Sequence, residues 1–193
     1  KKLQEGNYVK GKEDGEWNSW WQNGQQRDKG SFRAGVMEGL WQGFFSNGKP
    51  NYLGEQKGGK KNGTWKYWFE RTGKLRSEEG YVIDIPHGKY VLYTENGFID
   101  SKGTYRRGKQ NGTWQYYFET GGLHREQRFK NGKLTGKSTI WQPNGKLQCV
   151  MHYKIMKDSR KGHEQSVQHG TWIFYDKNGA ETNRIEYRNG VKQ

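Results

Sequence analysis

The sequence predicts an all-β fold: an elongated antiparallel β-meander of about seven hairpin repeats in a single twisted sheet. Three observations predict it. A glycine–aromatic motif recurs every 24 or 25 residues. Aromatic residues make up 15% of a chain whose hydrophobic fraction is only 30%, so rings must supply most of the burial. Asn-Gly pairs mark five of the seven recurrences where a hairpin has to turn, supplying the positive φ that a tight turn requires.

The repeat is read from its glycines. Gly15, Gly39, Gly63, Gly88, Gly112, Gly136 and Gly170 lie 24, 24, 25, 24, 24 and 34 residues apart. Two residues after each come Trp17, Trp41, Trp65, Tyr90, Trp114, Ser138 and Trp172 (the +2 row). Five after each come Trp20, Phe44, Trp68, Tyr93, Tyr117, Trp141 and Tyr175 (the +5 row), aromatic without exception. These rows are the candidate structural ladders. A second glycine follows, preceded by asparagine in pairs such as Asn23-Gly24 and Asn96-Gly97.

Each unit therefore reads as a first strand of about six aromatic-rich residues, an Asn-Gly turn, and a return strand. The return strand often carries an interior glycine (Gly30, Gly54, Gly103). It closes on an aromatic residue, as at Phe32, Tyr81, Tyr105, Phe129, Tyr153 and Tyr187, and a further turn leads onward. The expected array spans residues 1–193, with units near 13–37, 38–61, 62–86, 87–110, 111–134, 135–168 and 169–193. Residues 1–12 read as part of a preceding unit, and about ten inserted residues fall within 155–168. Two strands per unit give about fourteen strands. At about 4.8 Å between strands, seven units would reach about 65–70 Å.

In a straight strand the +2 and +5 rows face opposite sides, and offset +4 (Ser19, Gly43, Tyr67, Leu92, Tyr116, Ile140, Phe174) shares a face with +2. A bulge could bring both rows to one face.

The formal charge is +14, which favours acidic partners. The single Cys149 excludes an intrachain disulfide and a cysteine-based zinc site. His87 and His169 occupy a turn slot before a repeat glycine, and His124, His152 and His163 share no register. No nucleophile elbow or phosphate loop is present, and acidic residues 70, 78, 79, 119 and 126 invite a glycosidase reading that depends on a carboxyl separation sequence does not give. The expectation is a non-enzyme with no cofactor, no metal site and no catalytic residues.

Candidate binding residues come from two patterns. Arg33, Lys57, Arg106, Lys130, Lys154 and Arg188 each follow a closing position, with Lys60, Lys109, Lys133 and Lys157 three residues on. On a meander these form two basic rows suited to an acidic protein, a polyanion or an anionic membrane. Tyr67 and Phe69 enrich the stretch GTWKYWFERTG beyond its counterparts and are candidate contact rings. Nothing reads as a base-specific nucleic-acid element.

The stretches GTWQYYFETGG at 112–122, GTWIFYDKNG at 170–179 and GTYRRGKQNG at 103–112 resemble the bacterial variant of the MORN repeat. Proteins built mostly of such repeats resemble the YwqK-type family of antitoxin or immunity proteins. That resemblance implies a 24-residue all-β repeat array, bacterial origin and a protein partner, an acidic toxin above all. The alternative it implies is a scaffold or envelope protein contacting anionic membrane or polysaccharide. Either compartment, cytoplasm or cell envelope, is compatible with it.

Overall fold

The computed structural model describes residues 3–157 and 162–193. Its regular structure is β throughout, in two compact units, Lys1–Gly97 and Phe98–Gln193. The first contains β1 (Gln4–Val9), β2 (Lys12–Trp20), β3 (Gln26–Arg33), β4 (Val36–Phe44), β5 (Pro50–Lys57), β6 (Lys60–Trp68), β7 (Leu75–Val82) and β8 (Ile85–Tyr93). The second contains β9 (Ile99–Arg106), β10 (Lys109–Tyr117), β11 (Leu123–Lys130), β12 (Lys133–Leu134), β13 (Gly136–Trp141) and β14 (Leu147–Lys157). It ends with β15 (Glu164–Gln168), β16 (Gly170–Tyr175), β17 (Glu181–Arg188) and β18 (Val191–Lys192). Within each unit every strand pairs antiparallel with its sequence neighbour or with the next strand beyond a break, which is a meander.

Among the described residues eighteen strands replace the expected fourteen or so for local reasons. β1 belongs to the partial leading unit, a break at Thr135 splits β12 from β13, the insertion contributes β15, and β18 follows the seventh hairpin. That insertion is a hairpin arm: Ile155 pairs with Ser166 and Lys157 with Glu164. Residues 158–161 of the insertion lie outside the described residues.

Two kinds of turn alternate. Between hairpins, two-residue turns have both central residues left-handed, as at Ala34-Gly35 (φ 50° and 85°) and Asn131-Gly132 (50° and 80°). This geometry matches the twist of the strands it joins. Within each hairpin the loop is longer, and of its Asn-Gly pair only the glycine is left-handed, for example Gly24 at 91°. Asn23 instead accepts a bond from Gln25 N at 3.0 Å and donates through Nδ2 to Ser46 O at 2.7 Å, in the next hairpin's loop. In these loops the Asn-Gly pair thus supplies positive φ through its glycine alone.

The Gly-x-aromatic motif has a geometric cause. On passing from one hairpin to the next, one residue on the older strand (Gly30) faces three on the newer one (Gly39, Leu40 and Trp41): Lys29 pairs with Gln42, but Ser31 pairs with Glu38. The bulge holds Gly39 at φ 75° and sets Trp41 over Gly30 of the preceding strand. A Cβ on Gly30 would lie 2.3 Å from that indole, and one on Gly54 or Gly103 would lie 2.2 or 2.3 Å from Trp65 or Trp114. Each seated indole then donates Nε1–H to the carbonyl after the glycine, at 3.2 Å (Ser31), 3.1 Å (Glu55) and 3.1 Å (Thr104). Trp41, Trp65 and Trp114 are the most buried large side chains.

Where the chain departs from Trp it departs at both ends of the contact. Ser138 replaces the indole, Gln127 replaces the interior glycine, and Gln127 Nε2 donates to Ser138 Oγ at 3.2 Å. Where Met151 takes the glycine's place, Trp172 keeps its bond to His152 O (3.0 Å) but is only half-buried.

A second bulge recurs at each hairpin loop, on the return strand. Tyr67 pairs with Ser77 and Trp68 with Leu75, which leaves Arg76 extra; His124 and Gln148 are its counterparts. The first strand alternates undisturbed, so the +2 and +5 rows stay on opposite faces.

Candidate functional site

The +2 face is a ring ladder with polar inserts. Tyr8, Trp17, Phe32 and Trp41 meet edge to face at 5.8, 5.4 and 5.1 Å between successive centroids. Tyr52, Trp65 and Tyr67 stack at 5.8 and 6.1 Å, and Tyr105 meets Trp114 at 5.0 Å. Beside the ladder, a small residue and a larger one face each other on three rungs of the first unit: Ser19 with Asp28, Gly43 with Tyr52, Tyr67 with Ser77. Asp28 accepts from Ser19 Oγ at 2.9 Å and from Tyr52 OH at 2.7 Å. Glu79 accepts from Ser77 Oγ and Tyr81 OH. Burial, reinforced by these carboxylates, pushes the Tyr52 and Tyr81 phenols well above the usual tyrosine range.

Tyr67 is held inside this network. Lys61 Nζ donates to its hydroxyl, Lys61 lies 5.1 Å and Arg76 5.5 Å from its ring centre, and Trp65 stacks on it. Phe69 is a half-buried loop residue whose backbone N donates to Lys74 O at 2.9 Å. That loop is one residue longer than the one from Trp21 to Gln25, which accounts for the single 25-residue interval.

The +5 rings Trp20, Phe44, Trp68, Tyr93, Tyr117, Trp141 and Tyr175 are all half-buried on the opposite face. Val91, Thr139 and Val150 are buried on that face. Glu78 bridges Lys89 (2.7 Å) and Lys66 (3.5 Å) there, and the Lys89 hydrogen bond holds its carboxyl below the usual range. Trp141 and Tyr175 line a hollow of about 340 Å³ with Phe118 and His124, whose rings lie 4.4 Å apart.

Within each unit the two edges differ. Along the loop edge, polar side chains tie several hairpin loops to the next. Asn47 Nδ2 donates to Glu70 O (3.1 Å), Lys74 Nζ to Asn96 O (3.1 Å), Asn144 Nδ2 to Lys177 O (2.9 Å) and Lys146 Nζ to Asn178 O (2.8 Å). The turn edge carries the predicted basic rows. Arg33, Lys57, Lys60, Arg106, Lys109, Lys130 and Arg188 are exposed and Lys154 is half-buried; no side-chain bond holds any of these cations among the described residues. Lys57 stands directly across from Lys60, Arg106 from Lys109 and Lys130 from Lys133. Exposed apolar side chains sit on the same edge of the first unit: Val9, Val36, Met37, Val82, Ile83 and Ile85.

The histidines are dispersed. His152 Nδ1 donates to Thr171 O at 2.9 Å, and His169 backbone N to His152 O at 3.0 Å. Among the described residues no three His, Cys, Asp or Glu side chains are grouped to hold a metal ion. Cys149 is buried, which raises its thiol pKa.

No curated protein sequence matches the chain. A family model described as MORN repeat variant matches residues 110–131 and 134–154. Those residues run from the start of β10 into β14 and include the Gln127–Ser138 contact and Lys130. Such repeats are generally binding modules for proteins or membranes and generally non-enzymatic; a MORN repeat variant is found at residues 110–154.

Proposed function

We propose that this chain is a non-enzymatic protein-binding repeat module of the antitoxin or immunity type, which engages a partner toxin through its turn edge. The observation that carries this reading is the makeup of that edge. Like charges directly opposite one another weaken a β ladder, yet Lys57/Lys60, Arg106/Lys109 and Lys130/Lys133 repeat that arrangement. Among the described residues Lys57, Lys60, Arg106, Lys109 and Lys130 have no side-chain partner, and the apolar turn residues Val36, Val82, Ile83 and Ile85 share the turn edge of the first unit. Apolar anchors within a charged margin suit an acidic protein surface. The test is co-expression and affinity capture with the protein encoded beside it. Capture that is lost on substituting Arg33, Lys57, Arg106 and Lys130 by Gln, with rescue of growth by the wild type alone, supports the reading. A neighbour that is neither toxic nor captured refutes it.

A second reading, a scaffold or envelope protein on an anionic surface, draws on the same mixture of exposed Ile, Val, Lys and Arg at the turns. Such a mixture also suits a bilayer interface. Failure to bind vesicles with anionic headgroups at low salt refutes it.

A further inference from the structure

One hollow on the turn edge of the second unit differs from its neighbours because the inserted arm reaches it. Arg106, Arg107, Lys109, Asn131, Lys133 and Glu164 line a space of about 490 Å³. Two adjacent turns bring the cations together. Gly132 N donates to Gln110 O at 2.8 Å, and Gly132 packs against the Lys109 side chain, so the Asn131-Gly132 turn lies flat on the start of β10. Four cations thus share the hollow with one carboxylate, that of Glu164. Glu164 opens β15, the returning strand of the arm, and its Oε2 lies 3.3 Å from Lys133 Nζ. The Glu164 side chain is 55% exposed and that of Lys133 30%, so the pair is open to exchange with solvent.

We propose that this hollow is a carboxylate-binding subsite for an acidic segment of the partner protein, and that Glu164 is an internal stand-in which the segment displaces. The proposal rests on the protein-binding reading above. A carboxylate is the group that already sits there, and three positive charges remain uncompensated around it. An exposed ion pair is worth little, so an incoming carboxylate removes Glu164 at small cost. The arm therefore tunes the affinity of the subsite without closing it.

The probe is a synthetic hexaglutamate peptide, titrated at low salt into the full chain and followed by calorimetry and by backbone amide shifts. Glu164→Gln is expected to tighten binding about two- to five-fold, the range an exposed ion pair commands. Lys109→Gln and Lys133→Gln are expected to weaken it at least as much, with shifts centred on Arg107, Asn131 and Gly132. Glu164→Gln in a Lys133→Gln background is expected to give a smaller gain than in the wild type. Lys12→Gln, the same charge change in the other unit, is the control. Unchanged affinity in Glu164→Gln, or equal losses for Lys109→Gln and Lys12→Gln, overturns the proposal. Tighter binding of a polyphosphate of equal charge overturns the carboxylate assignment. If hexaglutamate behaves as expected but no acidic partner is captured, the subsite stands and the antitoxin reading falls. If a partner is captured equally well by Lys109→Gln and Lys133→Gln, the reverse holds.

Discussion

Gly54→Ala isolates the contact that spaces this fold. Gly54 lies in β5 with ordinary extended backbone, so alanine fits the conformation and should even gain about 0.4–1 kcal/mol from a less flexible unfolded chain. Against that, the new Cβ would lie 2.2, 2.4 and 2.5 Å from Cδ2, Cε2 and Cγ of Trp65, so the indole has to move by about 1 Å to restore contact distances near 3.5 Å. Trp65 is 3% exposed, and its Nε1 donates to Glu55 O at 3.1 Å. Overpacking of this kind costs about 1–3 kcal/mol, and an orphaned buried donor about 1–3 kcal/mol more. The expected net loss is about 2–4 kcal/mol, read by urea unfolding with tryptophan fluorescence and by hydrogen exchange of the Trp65 indole. Gly122→Ala is the matched control: its Cβ would meet nothing closer than Phe118 at 3.8 Å, and stability should hold or rise slightly. A Gly54→Ala protein as stable as wild type refutes the seat. A sharper form transplants the alternative found at Gln127 and Ser138. Gly54→Gln with Trp65→Ser should cost at least about 2 kcal/mol less than the sum of the single changes, and simple additivity counts against a coupled pair.

Other outcomes follow from the same geometry. Asn47→Ala should cost about 0.5–1 kcal/mol through loss of its bond to Glu70 O, with faster amide exchange in the loops at 45–49 and 69–74. Lys60→Glu replaces the like-charge pair with Lys57 by an opposite pair and should raise stability by about 0.2–1 kcal/mol at low salt, less at high salt, while weakening partner capture. Burial and the bond to Asp28 hold the Tyr52 phenol protonated in the folded state, so the folded pKa exceeds the unfolded value near ~10. Its contribution is complete below that value and declines as pH rises above it; Tyr52→Phe should flatten the alkaline loss of stability, as measured by denaturant midpoints between about pH 9 and 11.

The repeat and its strands were legible because spacing is one-dimensional information. A glycine two places before a ring, recurring at 24 residues, locates a strand whatever the ring contacts. What the ring contacts was not legible, since Gly30 and Trp41 meet across a bulge whose two extra residues leave no mark in either strand alone. A signal did exist: Gln127 and Ser138 depart together from the glycine and tryptophan found in other units. The faces were legible because the inter-hairpin bulge ends at the +2 position and the loop-side bulge falls on the return strand, so the alternation from +2 to +5 is intact. The basic rows could be drawn from sequence, but their pairing across the turns could not, because it depends on two-residue turns setting Arg106 opposite Lys109. Tyr67 looked like a surplus ring. Its environment is Lys61, Arg76 and Trp65, which come from sequence positions with no shared register.

The distribution of locally unfavourable choices separates function from structure here. Along the strand centres each choice agrees with its neighbours: an interior glycine receives an indole, and small residues face larger ones. Along the loop edges Asn47, Lys74, Asn144 and Lys146 spend their donors on the next loop's carbonyls, so those side chains are already satisfied. Unfavourable choices collect on the turn edge. Ile83, Asp84 and Arg107 hold φ of 50°, 64° and 51° where glycine or asparagine would cost less, cations face cations, and Ile85 and Val82 stand about half exposed. A sequence under selection for stability alone has simple remedies for each, as Asn131-Gly132 and Asn189-Gly190 demonstrate in the same chain. Local conflicts concentrated on the turn edges of otherwise consistent units are what the partner surface proposed above would require.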